Sequence, residues 1–287
     1  MYIKILYILK NIIKSLINPK YYLRIIFNDI KSFLKIYNFN HKIIFVVGLP
    51  KSGTTLIENF LSRIPGYAPR TLIGKKKNLR QGKLSPNCFD MLLNFQHSIF
   101  KTHIIPTEEN INCLIKNNIK KIIFMYRDPR DIVISLYYFQ KEKKYIKPEE
   151  KFYFNPNYKT KEKCFDFLIK NYIPANIKWI EEWQELLEKN KKSLDVFYLK
   201  YEDLITDKNL QFKKILNFYE ININYEYEQN LKAHKNFFDF LTLELPGQKS
   251  TFRTGTKNNW VYEFNNNQKK YIHDNYQEFL KNYNYIQ

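Results

Sequence analysis

The stretch Lys42-Ile-Ile-Phe-Val-Val-Gly48-Leu-Pro-Lys51-Ser52-Gly53-Thr54-Thr55-Leu-Ile-Glu-Asn-Phe-Leu-Ser-Arg-Ile64 decides how the rest of the chain is read. Ile43 to Val47 carries no charge and is dominated by β-branched and aromatic residues, which predicts a central strand covered on both faces. A short loop bounded by Gly48 and Gly53 follows. Beyond it Leu56, Ile57, Phe60, Leu61 and Ile64 recur at helical spacing. Strand, glycine loop and helix in that order let backbone N–H groups and a helix N-terminus converge on an anion.

The loop nearly fits the phosphate-binding pattern G-x-x-x-x-G-K-[ST], with Gly48 and Gly53 correctly separated and Thr55 in the hydroxyl position. Thr54 occupies the lysine slot, and Lys51 lies inside the loop. That displacement points to a phosphate with a different group attached and away from a β,γ-triphosphate. The expected fold is therefore α/β: a P-loop-type three-layer fold with a central, mostly parallel β-sheet flanked by helices.

The chain has 287 residues, 44% hydrophobic and 17% aromatic, enough for one large domain over 41–287 preceded by an extension over 1–40. Its formal net charge is +19, but 40 of its 47 basic residues are lysine. Arginine, the side chain suited to bidentate reading of guanine, is scarce, so the charge favours an anionic ligand or surface over nucleic acid. Three widely spaced cysteines, Cys88, Cys113 and Cys164, fit no metal pattern and suit a reducing, cytoplasmic compartment. In the extension, seven basic residues against the single acid Asp29 interleave with Ile, Leu, Tyr and Phe. It reads as basic amphipathic helix, too often interrupted to span a membrane. It either lies on an anionic membrane surface or packs on the domain with its lysines solvated.

Further along, Arg70 to Pro86 reads as a basic loop and Asn87 to His97 as helix. Ser98 to His103 reads as a second strand, placing Lys101 and His103 on one face at its carboxyl end, beside the glycine loop. Pro106 to Asn117 reads as helix and Ile119 to Tyr126 as a third strand. Asp128 then caps a helix that has Pro129 at its first position. Arg127 emerges at that strand's end and Ser135 lies two turns down the helix, although Arg127 pairing with Asp128 or Asp131 is the plain alternative. Lys141 to Lys163 reads as a long loop, and Phe165 to Lys189 as helix interrupted at Pro174, with Trp179 and Trp183 in the core. Asp195 to Leu199 forms a fourth strand leading into Tyr201-Glu-Asp-Leu204. Phe252 to Trp260 is a polar loop, and Asn265 to Tyr283 the closing helix.

Together these stretches resemble the sulfotransferases that use 3'-phosphoadenosine 5'-phosphosulfate (PAPS), over most of Lys42 to Phe264. Pro50 to Thr55 (PKSGTT) is similar to the family's 5'-phosphosulfate loop, and Lys101 to His103 (KTH) to its lysine and catalytic histidine. Arg127 and Ser135 correspond to its 3'-phosphate pair. Tyr201 to Leu204 (YEDL), and Arg253, Gly255 and Trp260, resemble its later signatures. The resemblance implies PAPS as donor with no metal required, bound by Lys51, Ser52, Gly53, Thr54, Thr55, Arg127, Ser135, Tyr201, Arg253, Thr254 and Gly255. It implies His103 as general base, assisted by Lys51 and Lys101. The acceptor implied is a hydroxyl or amine on a small molecule, glycan or lipid. Leu56 stands where many members stack a tryptophan on adenine, Thr254 replaces a common lysine, and Asn258 a common glycine. The rival readings are a nucleotide kinase or triphosphatase, and a non-catalytic protein that binds polyanions or membrane surfaces.

Overall fold

A computed structural model of the chain describes residues 25–28, 30, 36, 39–70, 72, 82–85, 88–89, 97–142, 160–222 and 255–286. Most of the extension, much of the two lysine-rich loops, most of the expected helix at Asn87 to His97, and both Arg253 and Thr254 lie outside these residues.

Five strands form one sheet: β1 (Ile43–Gly48), β2 (Ala68–Arg70), β3 (Ser98–Thr102), β4 (Lys121–Tyr126) and β5 (Asp195–Lys200). All pairings are parallel and the spatial order is β2-β3-β1-β4-β5. The helices are α1 (Thr54–Leu61), α2 (Glu108–Lys116), α3 (Pro129–Glu142), α4 (Lys161–Lys189), α5 (Tyr201–Thr206), α6 (Lys208–Phe218), α7 (Trp260–Glu263) and α8 (Asn266–Asn282).

Alternation along the strands divides the core between the two faces of the sheet. Phe45, Val47, Phe100, Ile122 and Phe124 pack against α2, α3, α4 and α8, through residues such as Leu114, Val133, Trp183 and Phe279. Ile44, Val46, Ile99, Ile123 and Met125 pack on the opposite face against α1 and α6, through Ile57, Phe60 and Ile215. Because β3 and β4 flank β1 on opposite sides, the chain reverses direction there. In parallel sheets ligands bind at such a switch point, outside the carboxyl ends of the strands.

Two elements differ from the sequence reading. The edge strand β2 (Ala-Pro-Arg) falls partly in the stretch read as loop; it is short, and Pro69 is tolerated because edge strands need not donate on both sides. Helix α4 runs unbroken through Pro174. The lost hydrogen bond and ring clash cost about 3 kcal/mol, which burial of Ile169, Ile173, Ile180 and Trp183 on both sides of the proline offsets. The loop expected over Lys141 to Lys163 is also shorter at both ends, since α3 reaches Glu142 and α4 begins at Lys161.

Of the extension, residues 25–28 are helical. Asn28 is buried and donates to the carbonyls of Tyr67 (2.6 Å) and Ser62 (3.4 Å), while its own carbonyl accepts from Gly66 N–H. This part of the extension thus packs on the turn after α1. Among the described residues, no helix is long and apolar enough to cross a membrane.

Candidate active site at the sheet switch point

Every candidate group within the described residues except Ser135 and Gly255 follows, or ends, a parallel strand: Lys51 to Thr55 after β1, Lys101 and His103 at β3, Arg127 after β4 and Tyr201 after β5. Ser135 lies on α3, half-buried.

The loop after β1 is shaped by close approach. A Cβ on Gly48 would lie 2.7 Å from Thr54 Cγ2 and 2.9 Å from the Met125 carbonyl oxygen. Gly53 has φ of +96° and a Cβ there would lie 2.5 Å from the Tyr201 ring, so backbone and space both demand glycine. Ser52 is fully buried and gives both its hydroxyl (2.7 Å) and its N–H (3.1 Å) to Leu49 O, which folds the turn. No side-chain hydrogen bond caps α1, and a helix start of that kind can offer the N–H groups of its first turn to an anion. Lys51 adopts φ of +73°, and its ammonium lies 4.1 Å from the centre of the Phe139 ring on α3. It is held across the loop towards α3.

The lysine and histidine predicted on β3 are both at its end, but they turn to different partners. Lys101 donates to Thr55 Oγ1 (3.2 Å) and pairs with Glu58 (2.8 Å), tying the strand to the first turns of α1. His103 lies one residue beyond the strand, exposed, with Nδ1 2.5 Å from Gly48 O. A carbonyl only accepts, so Nδ1 carries the hydrogen and Nε2 keeps a lone pair. Crowding by protein atoms, then the Lys101 charge, hold its pKa below the ordinary imidazole value, against the opposing effect of the Gly48 bond.

Arg127 is buried and reaches several elements at once. It donates to Lys51 O (3.1 Å) and Thr256 O (3.5 Å), lies 3.6 Å from Asp131, and stacks on the Tyr201 ring at 4.0 Å. The plain pairing with Asp131 is therefore present, as one contact among four. Its Nε is buried without a hydrogen-bond partner. A buried unpaired donor is costly, and an anionic oxygen would satisfy it. Asp128 caps α3 through the Arg130 N–H (2.9 Å) and forms a bidentate pair with the Arg130 guanidinium, which stacks on Trp260 at 3.9 Å. Asp131 accepts the Trp260 N–H at 3.1 Å. The Arg-Asp-Pro-Arg-Asp turn thus seats the segment from Gly255 to Trp260 beside the loop. Gly255 has φ of +63° and Asn258 of +61°. Asparagine is the common substitute for glycine in that conformation, which explains why the replacement at 258 is tolerated.

Sequence reasoning missed the contributions of four residues. Glu58 holds Lys101, as described above. Glu202, next to Tyr201, accepts the Asp128 N–H at 3.1 Å, and burial followed by the nearby Asp128 charge pushes its carboxyl up to about 7. Trp179 and Trp183, correctly expected in the core, also donate to Ile104 O, directly after His103. Helical spacing locates their face of α4 but gives no sign of where the indole N–H groups point.

Fold and site together define an α/β protein with a glycine-bounded loop of P-loop type at a topological switch point and cationic groups arrayed around it. The sulfotransferase domain profile matches residues 41–284, and the chain belongs to that family. It is 28% identical over 135 residues to cytosolic sulfotransferase 7 of Arabidopsis thaliana, covering 46% of this chain and 37% of that one. With sulfotransferase 1 family member D1 of Rattus norvegicus it shares 26% over 196 residues, 66% of this chain and 62% of that one. In both cases it spans less than two thirds of the relative's length. Amine sulfotransferase of Oryctolagus cuniculus is 23% identical over 268 residues, 84% of this chain and 81% of that one. Among solved structures, mouse sulfotransferase SULT7A1 complexed with PAP superposes with a TM-score of 0.57 at 21% identity, over 88% of this chain and 89% of that one. That superposition supports the shared fold.

Proposed function

We propose that the protein transfers a sulfuryl group from PAPS to a hydroxyl or amine on a small-molecule acceptor. The observation that carries this reading is the loop itself. An uncapped helix start lies behind two obligatory glycines, Thr54 stands where a triphosphatase would have lysine, and Lys51 crosses the loop.

The N–H groups of Gly53, Thr54 and Thr55 and the Thr hydroxyls bind the donor's 5'-phosphate, while Ser52 shapes the turn beneath them. Lys51 contacts the oxygen bridging phosphorus and sulfur, where negative charge grows as the bond breaks. His103, neutral and unprotonated at Nε2, accepts the proton as the acceptor oxygen or nitrogen bonds to sulfur and the bridging S–O bond breaks. The products are the sulfated acceptor and adenosine 3',5'-bisphosphate. Lys101 moderates charge beside Thr55. Arg127, Ser135 and Arg253 grip the 3'-phosphate, with Tyr201, Thr254 and Gly255 around it; the unpartnered Nε of Arg127 supports this assignment. A sulfuryl group carries less charge than a phosphoryl group, so this chemistry proceeds without a metal. The name of the rabbit relative supports an amine among the acceptors.

Three buried cysteines, none of them in a disulfide, support a cytoplasmic location. Exposed Phe27, Ile30 and Ile36 within a basic extension support peripheral contact with an anionic membrane surface.

Incubating the full chain with sulfur-labelled PAPS and a panel of phenols, alcohols and amines tests the proposal. Label should appear in an acceptor with wild type, and at least about a hundredfold more slowly with Lys51→Met. Transfer by Lys51→Met at the wild-type rate would remove the role given to that ammonium.

A further inference from the structure

Trp179 and Trp183 lie one turn apart on α4, Trp183 fully buried and Trp179 half-buried, and both rings pack against Phe124 of β4 at centroid distances of 5.6 and 6.2 Å. Their indole N–H groups converge on a single acceptor. Nε1 of Trp179 is 3.3 Å and Nε1 of Trp183 is 3.2 Å from Ile104 O. A carbonyl oxygen has two lone pairs and can accept both. The same peptide is also held through its N–H, which Ile105 donates to Gly82 O (3.0 Å), and the next one through Ile105 O, which accepts from the buried Asn110 amide (2.8 Å). On the other side, the His103 ring is bonded to Gly48 O of β1. The backbone after His103 is therefore gripped from α2 and α4, and its imidazole from the central strand.

Buried indoles need an acceptor, but any carbonyl within reach would serve. Two of them on the carbonyl of the residue that follows the candidate base is a specific arrangement. We propose that Trp179 and Trp183 are positioning residues that fix the Ile104–Ile105 peptide, the second after His103, keeping the His103 ring on Gly48 O with Nε2 unprotonated and facing the site. The proposal rests on reading His103 as the base. Without the two indole bonds the Ile104–Ile105 peptide is held only through its N–H on Gly82 O and can tilt about that bond, the ring leaves Gly48 O, and the imidazole returns towards the Nε2–H tautomer that predominates in water.

The test uses the 15N-labelled full chain and long-range proton–nitrogen spectra of its five histidines, with the His103 signal identified by its loss in His103→Ala. Wild type should show His103 in the Nδ1–H tautomer, titrating below the ordinary imidazole value. Trp179→Phe, Trp183→Phe and the double variant keep an aromatic ring and remove the donor. In the double variant the tautomer should become mixed and the midpoint rise. PAPS-dependent transfer should fall about ten- to a hundredfold, with affinity for adenosine 3',5'-bisphosphate unchanged. A double variant that still binds the bisphosphate and keeps the wild-type tautomer and midpoint overturns the proposal. Should Trp183→Phe fail to fold, Trp179→Phe at its half-buried position decides by the same spectra. Undiminished transfer by His103→Ala would instead refute the base assignment, an outcome the tautomer spectra do not depend on.

Discussion

At the residue scale, His103 combines an exposed position with a bond to Gly48 O that commits one nitrogen and leaves the other basic. Its depressed pKa means that more than half of the imidazole is neutral at a pH where a free histidine is half protonated. At saturating donor, transfer should rise with pH through a midpoint below the ordinary imidazole value and level off above it; a pH–rate profile checks this. His103→Ala should lower the plateau about 10²- to 10⁴-fold while leaving nucleotide affinity in place. Glu202 behaves in the opposite sense. Its carboxyl titrates near 4.5 when unfolded and about 7 when folded, so the folded chain retains a proton that the unfolded chain has lost. Its contribution to stability is intact below about pH 4.5 and declines as pH rises through 7. Glu202→Gln, which can still accept the Asp128 N–H, should raise stability by about 1 to 3 kcal/mol near pH 8 and hardly at all near pH 4.5, read by thermal unfolding at both values.

At the scale of elements, the turn from Arg127 to Asp131 joins four pieces of chain: the β1 loop through Lys51 O, α5 through Tyr201 and Glu202, the segment from Gly255 to Trp260, and the C-terminal residues through Tyr285 O. Asp131→Ala removes the acceptor for the Trp260 N–H and a counter-charge to Arg127. It should weaken binding of adenosine 3',5'-bisphosphate by about tenfold and speed amide exchange across 255–260, measured by hydrogen–deuterium exchange. The elements of this assembly were legible in the sequence. Asp128 and Pro129 announce a helix start, and uncharged β-branched runs announce β1 and β4. What joins them was less so. The Trp260 N–H on Asp131, the indole bonds to Ile104 O and the Glu58–Lys101 pair link residues far apart in the chain and follow no period. Neither β2, with three residues and a proline, nor the persistence of α4 past Pro174 had a local signal, because tertiary packing decides both.

For the whole molecule, a sheet covered on both faces leaves only its strand ends available for chemistry, and the order β2-β3-β1-β4-β5 opens the crevice at β1. That explains why candidates scattered from Lys51 to Tyr201 gather along one edge. The division between extension and domain was less legible: Ile25 and Asn28 are buried, with Asn28 bound to the turn after α1, although composition alone separates 1–40 from the rest. The central claim is that this edge holds a nucleotide carrying a 3'-phosphate, with Arg127 as one of its grips. Calorimetric titration of the full chain with adenosine 3',5'-bisphosphate, adenosine 5'-phosphate and magnesium–ATP tests it most directly. The account predicts that the bisphosphate binds at least about tenfold more tightly than either competitor, and that this preference disappears in Arg127→Ala. Equal affinity for the bisphosphate and adenosine 5'-phosphate, or tighter binding of magnesium–ATP, would contradict it.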